Sequence, residues 1–185
     1  IVATDDAWIK ETVSNCGGRV KLTSGEHPNG TSRCAEVAGQ FPEYDLIVNI
    51  QGDEPYIHPE QIDELCRLFI DTEATLFTQA KRLEDPTAIP NPNIVKVRFD
   101  DNGYATAFER IPAITTHTVY KHIGLYGYRA AALQEIARLA PTENEMRLHL
   151  EQLRWLDNGY RIKVGITEFE SCSVDVPEDV GKLRD

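Results

Sequence analysis

Basic residues are in short supply in this sequence, which carries 19 lysines and arginines against 30 aspartates and glutamates. The formal net charge of −11 opposes non-specific binding to nucleic acid or to an anionic membrane surface. We therefore expect neither a nucleic acid nor a membrane as partner. A small anionic substrate would need a local basic pocket or a bridging cation.

Cysteines are also few, and they lie far apart along the chain. No C-x-x-C pair and no metal-ligand spacing joins them, so the pattern indicates neither a zinc site nor a disulfide framework. Reduced, partly buried thiols are the expected state. The four are Cys16, Cys34, Cys66 and Cys172.

Long apolar runs are missing as well. No stretch reaches the roughly 18 residues that a membrane span needs, and no signal-like segment opens the chain. We expect a cytoplasmic protein. The 185 residues, 41% of them hydrophobic and 26% charged, are typical of one globular domain with a continuous core.

The order of apolar and polar segments predicts an α/β fold. Residues 1–5 resemble the end of a buried strand, and residues 45–50 form an apolar run typical of a central parallel strand covered on both faces. Asn102-Gly103 indicates a β-hairpin, and residues 143–156 predict one continuous helix. We expect a mainly parallel mixed sheet with flanking helices.

Two acidic segments follow strand-like runs and are candidate metal sites. In open α/β sheets ligands bind beyond the carboxyl ends of the strands, and Asp53 lies there, where it can bind Mg²⁺. Asp175 precedes a helix predicted to begin at Pro177. The alternatives are a turn or helix start at Asp53 and a dipole interaction at Asp175. If both carboxylates converge, they suit phosphoryl or nucleotidyl transfer.

A polar loop-to-helix junction offers a second candidate site. It presents backbone amides, two hydroxyls and a guanidinium, a surface suited to a nucleobase or an anion. Helix capping by Asn29 or Thr31 explains the same residues. The candidate binding residues are Gly30, Thr31, Ser32 and Arg33.

Further polar residues are candidates at lower specificity. His122 and Tyr126 share one face of a predicted strand, although a half-exposed strand with a solvated histidine fits equally. Glu151 and Gln152 lie at the rim of an apolar helix stripe, where surface solvation is usual. Arg110 can bind a carboxylate bidentately, although exposed arginines are commoner.

Taken together, these segments resemble the 3-deoxy-manno-octulosonate (Kdo) cytidylyltransferase family, also called CMP-Kdo synthetases. The order and approximate spacing agree across nearly the whole chain. The matching segments are residues 1–5, His27 with 30–33, and residues 48–55, 91–97, 108–110, 122–129, 151–154 and 174–179.

The resemblance implies one nucleotidyltransferase domain over residues 1–185 that transfers CMP from CTP to Kdo and releases pyrophosphate. The product activates Kdo for lipopolysaccharide biosynthesis. The family is usually a homodimer and uses Mg²⁺. Its members also have an N-terminal strand and a basic phosphate-binding loop, which correspond to no residues of the given sequence, and usually a longer loop after Arg110. No role is assigned to residues 113–118.

The resemblance also implies individual roles. Asp53 and Asp175 would bind Mg²⁺, and residues 30–33 would read the cytosine. Arg110 would bind the sugar-acid carboxylate, and no covalent intermediate is needed. The remaining residues around the sugar acid would be Gln51, His122, Tyr126, Glu151 and Gln152. The alternatives are a cytidylyltransferase for sialic acid or amino-Kdo, or a non-catalytic sugar-nucleotide binding module.

Overall fold

The computed structural model describes residues 1–112, 118–171, 174 and 181. The helix predicted at Pro177 lies outside this part of the chain. The described elements are β1 (Val2–Thr4), α1 (Ala7–Asn15), β2 (Val20–Leu22), α2 (Gly30–Ala38), β3 (Leu46–Ile50), α3 (Pro59–Asp71), β4 (Leu76–Arg82), β5 (Lys96–Phe99), β6 (Ala105–Glu109), β7 (Tyr120–Arg129), α4 (Ala130–Ile136), α5 (Glu143–Leu148), α6 (Gln152–Asp157) and β8 (Ile162–Ile166).

A six-stranded mixed sheet forms the centre of the fold. Its order is β6–β5–β7–β4–β8, with β3 beside the C-terminal half of β7. β3, β4, β5 and β8 run in one direction, whereas β6 and β7 run in the other. The predicted mixed α/β architecture with flanking helices is confirmed, but the sheet is not mainly parallel, because four of its five strand pairings are antiparallel. β1 and β2 form a separate parallel pair.

The prediction for residues 45–50 was right about the strand but wrong about its pairing and its burial. β3 pairs antiparallel with β7, and most of its residues are only half-buried. An apolar run indicates a strand but not its partner, because the partner lies about 80 residues later in the chain. The hairpin prediction at Asn102-Gly103 is confirmed by the pairing of β5 with β6.

An irregularity in β7 lies next to the candidate site. Thr78 pairs with Tyr126, but the next residue of β4, Gln79, pairs with Ile123. The extra residues of β7 include Gly124, where an added Cβ would lie 3.0 Å from Glu54 Oε1. The irregular strand and the missing side chain leave room for the loop that follows β3.

The predicted helix over residues 143–156 is two helices. The chain breaks at His149, whose φ of 52° and ψ of 51° are left-handed. The break turns α6 so that Leu153 and Trp155 enter the core, while Gln152 also becomes buried. Helical periodicity continued through the break, so the sequence pattern did not reveal it.

The core lies on both faces of the sheet. On one face the rings of Tyr126 and Tyr128 pack edge-on against Trp155 of α6. On the other, α3 contributes Leu65, which fits over β7 because Gly127 has no side chain. His58 caps α3 and Pro59 begins it. Among the described residues, no helix is long and apolar enough to cross a membrane.

Candidate active site

The loop after β3 carries the first predicted metal ligand. Asp53 is exposed in a tight turn, which the Glu54 N–H closes by donating to the Gln51 carbonyl over 3.1 Å. The N–H of Val174 donates a 2.7 Å hydrogen bond to the carbonyl oxygen of Asp53. The residue that precedes Asp175 in the sequence therefore lies against the Asp53 loop, although Asp175 itself is outside the described residues.

The donor chemistry at this point fits Mg²⁺. The ion is commonly held by one or two carboxylates while water and substrate phosphates complete its shell. Asp53 offers an exposed carboxylate of that kind beyond the end of a strand. The residues the structure describes contain no group of three or more acidic, histidine or cysteine side chains suited to a metal, so a protein cage is not formed by them.

Glu54, next in the chain, differs sharply from Asp53 because it is buried. Burial raises the pKa of its carboxyl, an effect that Ser171 and Lys121 only partly offset. Its Oε2 atom has no hydrogen-bond partner among the described residues. Glu54 therefore packs the loop onto the irregular part of β7, a role that sequence reasoning missed.

The predicted nucleotide loop forms the start of α2. Asn29 caps the helix by accepting from the Ser32 N–H over 2.9 Å, so its predicted capping role is confirmed. The Ser32 hydroxyl lies 3.2 Å from His27 Nδ1 and donates back to the Asn29 carbonyl. Thr31 is buried and Gly30 lies beside Asn49 of β3. Hydrogen bonds and burial therefore hold residues 29–32 in place.

Arg33 and His27 are held by acidic partners behind this loop. The Arg33 guanidinium donates to the Thr23 hydroxyl and lies 3.2 Å from an Asp5 carboxylate oxygen. His27 Nε2 lies 2.5 Å from Glu36, and this contact, together with the Ser24 N–H, lowers the pKa of the Glu36 carboxyl. These contacts hold the side chains of His27 and Arg33 in place beside the start of α2.

His122 and Tyr126 meet on one face of β7, as predicted. Their ring centroids are 5.3 Å apart, and His122 Nε2 lies 2.9 Å from the Thr78 hydroxyl. The alternative of a solvated histidine is wrong, because the residue is 9% exposed. Burial lowers the pKa of His122 to about 3, so the ring is neutral near pH 7.

A buried polar junction joins the nucleotide loop to the residues predicted for the sugar acid. Tyr128 lies beside Thr31 and Asn49, and Glu151 lies beside the same threonine. Neither the Tyr128 hydroxyl nor Glu151 Oε1 makes a well-aligned hydrogen bond to a described residue. Burial raises the pKa of both groups. Such unpaired buried atoms are suited to a ligand.

The structure gives two of the other predicted residues different surroundings from those expected. Gln152 is 4% exposed, so its predicted place at a solvated rim was wrong. Arg110 donates through Nε to the Leu148 carbonyl, through Nη1 to the Pro92 carbonyl and through Nη2 to the His149 carbonyl. Its carboxylate-binding role stays a prediction. Gln51 is exposed at the start of the Asp53 loop.

Comparison with known proteins assigns this mixed sheet, with its two polar loops and buried polar junction, to the class of nucleotidyltransferases. The model of the family described as cytidylyltransferase matches residues 1–163. The 3-deoxy-manno-octulosonate cytidylyltransferase of Parabacteroides distasonis is 48% identical over 98% of this chain and 78% of its own length. The enzyme of the same name from Thermodesulfovibrio yellowstonii is 42% identical over 97% of this chain and 77% of its own.

A solved structure agrees with these relatives. CMP:2-keto-3-deoxy-manno-octonic acid synthetase, complexed with CTP, superposes with a TM-score of 0.91 at 30% identity, covering 99% of this chain and 78% of the other. The chain belongs to the 3-deoxy-manno-octulosonate cytidylyltransferases of the cytidylyltransferase family.

Proposed function

We propose that this chain transfers CMP from CTP to Kdo and releases pyrophosphate, the step that activates Kdo for lipopolysaccharide biosynthesis. Relatives named for this reaction support the proposal, and one similar structure contains CTP. The structural observation that carries it is the hydrogen bond from Val174 to Asp53, since it joins two acidic segments that are remote in sequence.

In this mechanism Asp53 and Asp175 would hold Mg²⁺. At this site Mg²⁺ would supply charge neutralisation for the CTP phosphates and the departing pyrophosphate. The chain's own residues align the Kdo hydroxyl with the α-phosphate, so the rate would come from orientation and electrostatics without a covalent intermediate.

The nucleotide would bind at the start of α2. Gly30 leaves the backbone open beside Asn49, and the helix N-terminus favours partial negative charge on a base oxygen. The Ser32 hydroxyl is held in position by contacts of this residue with Asn29 and His27, and the Arg33 guanidinium is oriented by Asp5. These contacts would read the cytosine ring.

The sugar acid would lie between β7 and the start of α6. His122 is neutral, so it contributes hydrogen bonding without a competing charge. Burial raises the pKa of the Glu151 carboxyl, and its Oε1 atom, which makes no well-aligned hydrogen bond to a described residue, can accept from a sugar hydroxyl. The other proposed contacts are Gln51, Arg110, Tyr126 and Gln152.

Pyrophosphate release by the full-length protein tests the function. CTP and Mg²⁺ are supplied with Kdo, amino-Kdo, a sialic acid or no sugar, and we expect release only with Kdo. Release with another sugar acid alone would replace the substrate but keep the reaction. Absence of release with every acid, together with CTP binding that needs no metal, would favour the non-catalytic binding module.

Two single aspartate variants test the metal site. Asp53→Asn should lower turnover at least about 100-fold, because a neutral amide binds Mg²⁺ poorly. Asp71→Asn, at the exposed end of α3, is the matched control and should leave turnover unchanged. Circular dichroism checks the fold. Near-normal turnover of Asp53→Asn would remove Asp53 from the metal site.

We also infer a homodimer from the family resemblance, and we keep the cytoplasmic location expected from the sequence. Light scattering after size-exclusion chromatography tests the first, and fractionation of the native cells tests the second. A monomeric active enzyme would contradict the inferred assembly.

A further inference from the structure

Lys121 lies on β7, and its side chain contacts Glu170 and Ser171, a few residues before Val174. Its ammonium donates to Glu170 Oε1 over 2.6 Å and to the main-chain carbonyl of Ser171 over 2.8 Å. Lys81 of the neighbouring strand reaches the other Glu170 oxygen over 3.2 Å. The two side chains are similarly buried, at 21% exposure for Lys121 and 22% for Lys81, but among the described contacts only Lys121 donates to Ser171.

The segment of residues 169–171, which includes both partners of Lys121, and Val174 contact the chain between β3 and α3 at three points. Phe169 stacks on His58 with ring centroids 4.1 Å apart. Ser171 is 2% exposed and lies beside Glu54. Val174 closes on the Asp53 carbonyl. Phe169, Ser171 and Val174 therefore each contact the loop before α3.

The Ser171 carbonyl distinguishes the two lysines energetically. The Glu170 side chain is 60% exposed, so an ion pair to it stabilises little in water. The Ser171 residue is almost completely buried, and a buried carbonyl that loses its donor is not resolvated cheaply. Removal of Lys121 should therefore loosen this segment, whereas removal of Lys81 should not.

We infer that Lys121 is a positioning residue for Asp53. By fixing Ser171 it restrains the nearby Val174, whose N–H donates to the Asp53 carbonyl, and so it would set the position from which the Asp53 carboxylate binds a divalent cation. This inference rests on the metal role proposed for Asp53. It assigns to Lys121 no contact with substrate.

The test compares Lys121→Met with Lys81→Met in the full-length protein. Amide exchange at Val174 is measured without metal or substrate, and Mn²⁺ binding is measured by electron paramagnetic resonance without nucleotide. We expect Lys121→Met to speed exchange about tenfold and to weaken Mn²⁺ binding by a similar factor, the loss of roughly one hydrogen bond. Lys81→Met should match the wild type in both.

The Mg²⁺ dependence of pyrophosphate release supplies a third readout. In Lys121→Met the concentration for half-maximal rate should rise, while excess Mg²⁺ restores kcat. Lys121→Gln keeps a donor for the Ser171 carbonyl, so its half-maximal Mg²⁺ concentration should lie between those of the wild type and Lys121→Met. If Lys121→Met does not fold, Lys121→Gln takes its place in the test.

Two results would overturn the inference. Equal effects in the two lysine variants would trace them to Glu170 rather than Ser171, and unchanged exchange at Val174 would show that Lys121 does not fix the segment. Failure of the proposed function is separable, because it would abolish Kdo-dependent release in the wild type while the exchange experiment still decides the role of Lys121.

Discussion

Arg110 Nη2 donates a 3.1 Å hydrogen bond to the main-chain carbonyl of His149, the one non-glycine residue with a positive φ in the described parts of the chain. A left-handed backbone is costly for a residue with a side chain. Arg110 also binds the carbonyl of Leu148, so it stabilises the turn that presents Glu151 and Gln152. A residue predicted to contact substrate thus has a second, structural task.

Arg110→Ala should therefore lower both stability and sugar-acid binding. Loss of the carbonyl contacts should cost about 1–3 kcal/mol of unfolding free energy, measured by urea denaturation. The KM for Kdo should rise while the KM for CTP stays unchanged, since the residues proposed to bind the nucleotide lie at the start of α2. Arg147→Ala, on the exposed face of α5, is the control. A higher KM at unchanged stability would instead indicate that Arg110 binds the carboxylate directly.

The buried imidazole of His122 predicts a loss of stability in mild acid. Its pKa is about 3 in the folded protein and near 6.5 when unfolded, so above pH 6.5 it is neutral in both states. Below pH 6.5 His122 binds a proton in the unfolded chain but stays neutral in the folded chain. Stability should then fall by up to ~1.4 kcal/mol per pH unit until pH approaches 3.

His122→Gln isolates this contribution from that of other titrating groups. The variant keeps a polar partner for Thr78 but cannot titrate. Urea denaturation of both proteins between pH 7 and pH 5 should give curves that diverge as the pH falls, with the wild type losing more. Parallel curves would show that His122 is accessible to protons in the folded state.

A buried ion pair fastens α6 to α5. Arg154 donates through Nε and Nη2 to the two oxygens of Glu145, and both side chains are largely buried, at 6% and 13% exposure. Arg154→Met would leave a buried carboxylate unpaired and should cost about 3–5 kcal/mol. Arg98→Met breaks the exposed pair with Glu109 and should cost less than about 1 kcal/mol. Similar losses in thermal unfolding for both would contradict the burial argument.

Local patterns predicted the elements better than their partners. The hairpin at Gly103 and the helix start at Pro59 were predictable because turn and cap preferences act between near neighbours. The antiparallel pairing of β3 with β7 was not, since it depends on a contact between remote segments. The break at His149 is likewise stabilised by Arg110, 39 positions away.

The candidate site shows the same division. Strand alternation is local, so the sequence alone placed His122 and Tyr126 on one face. Asp53 was predicted because ligands bind beyond the carboxyl ends of strands in α/β sheets. The sequence missed Glu54 and Lys121, whose importance lies in contacts with Ser171. Alternation along β7 could have added Tyr128 to His122 and Tyr126, but an apolar ring in a core strand carries no functional signal by itself.

The unpaired hydroxyl of Tyr128 predicts separate effects on stability and on binding. Because it makes no well-aligned hydrogen bond to the described residues, Tyr128→Phe should leave the unfolding free energy unchanged or raise it by about 1 kcal/mol. The hydroxyl lies between Thr31 and Asn49, so its loss should raise the KM for CTP. Tyr160→Phe removes an exposed hydroxyl that donates to Glu135 and should leave that KM unaltered. Urea denaturation and CTP titrations of pyrophosphate release measure both effects. A clear loss of stability at an unchanged KM would mean that Tyr128 serves the fold, because its hydroxyl would then be bonded within the protein rather than free for the nucleotide.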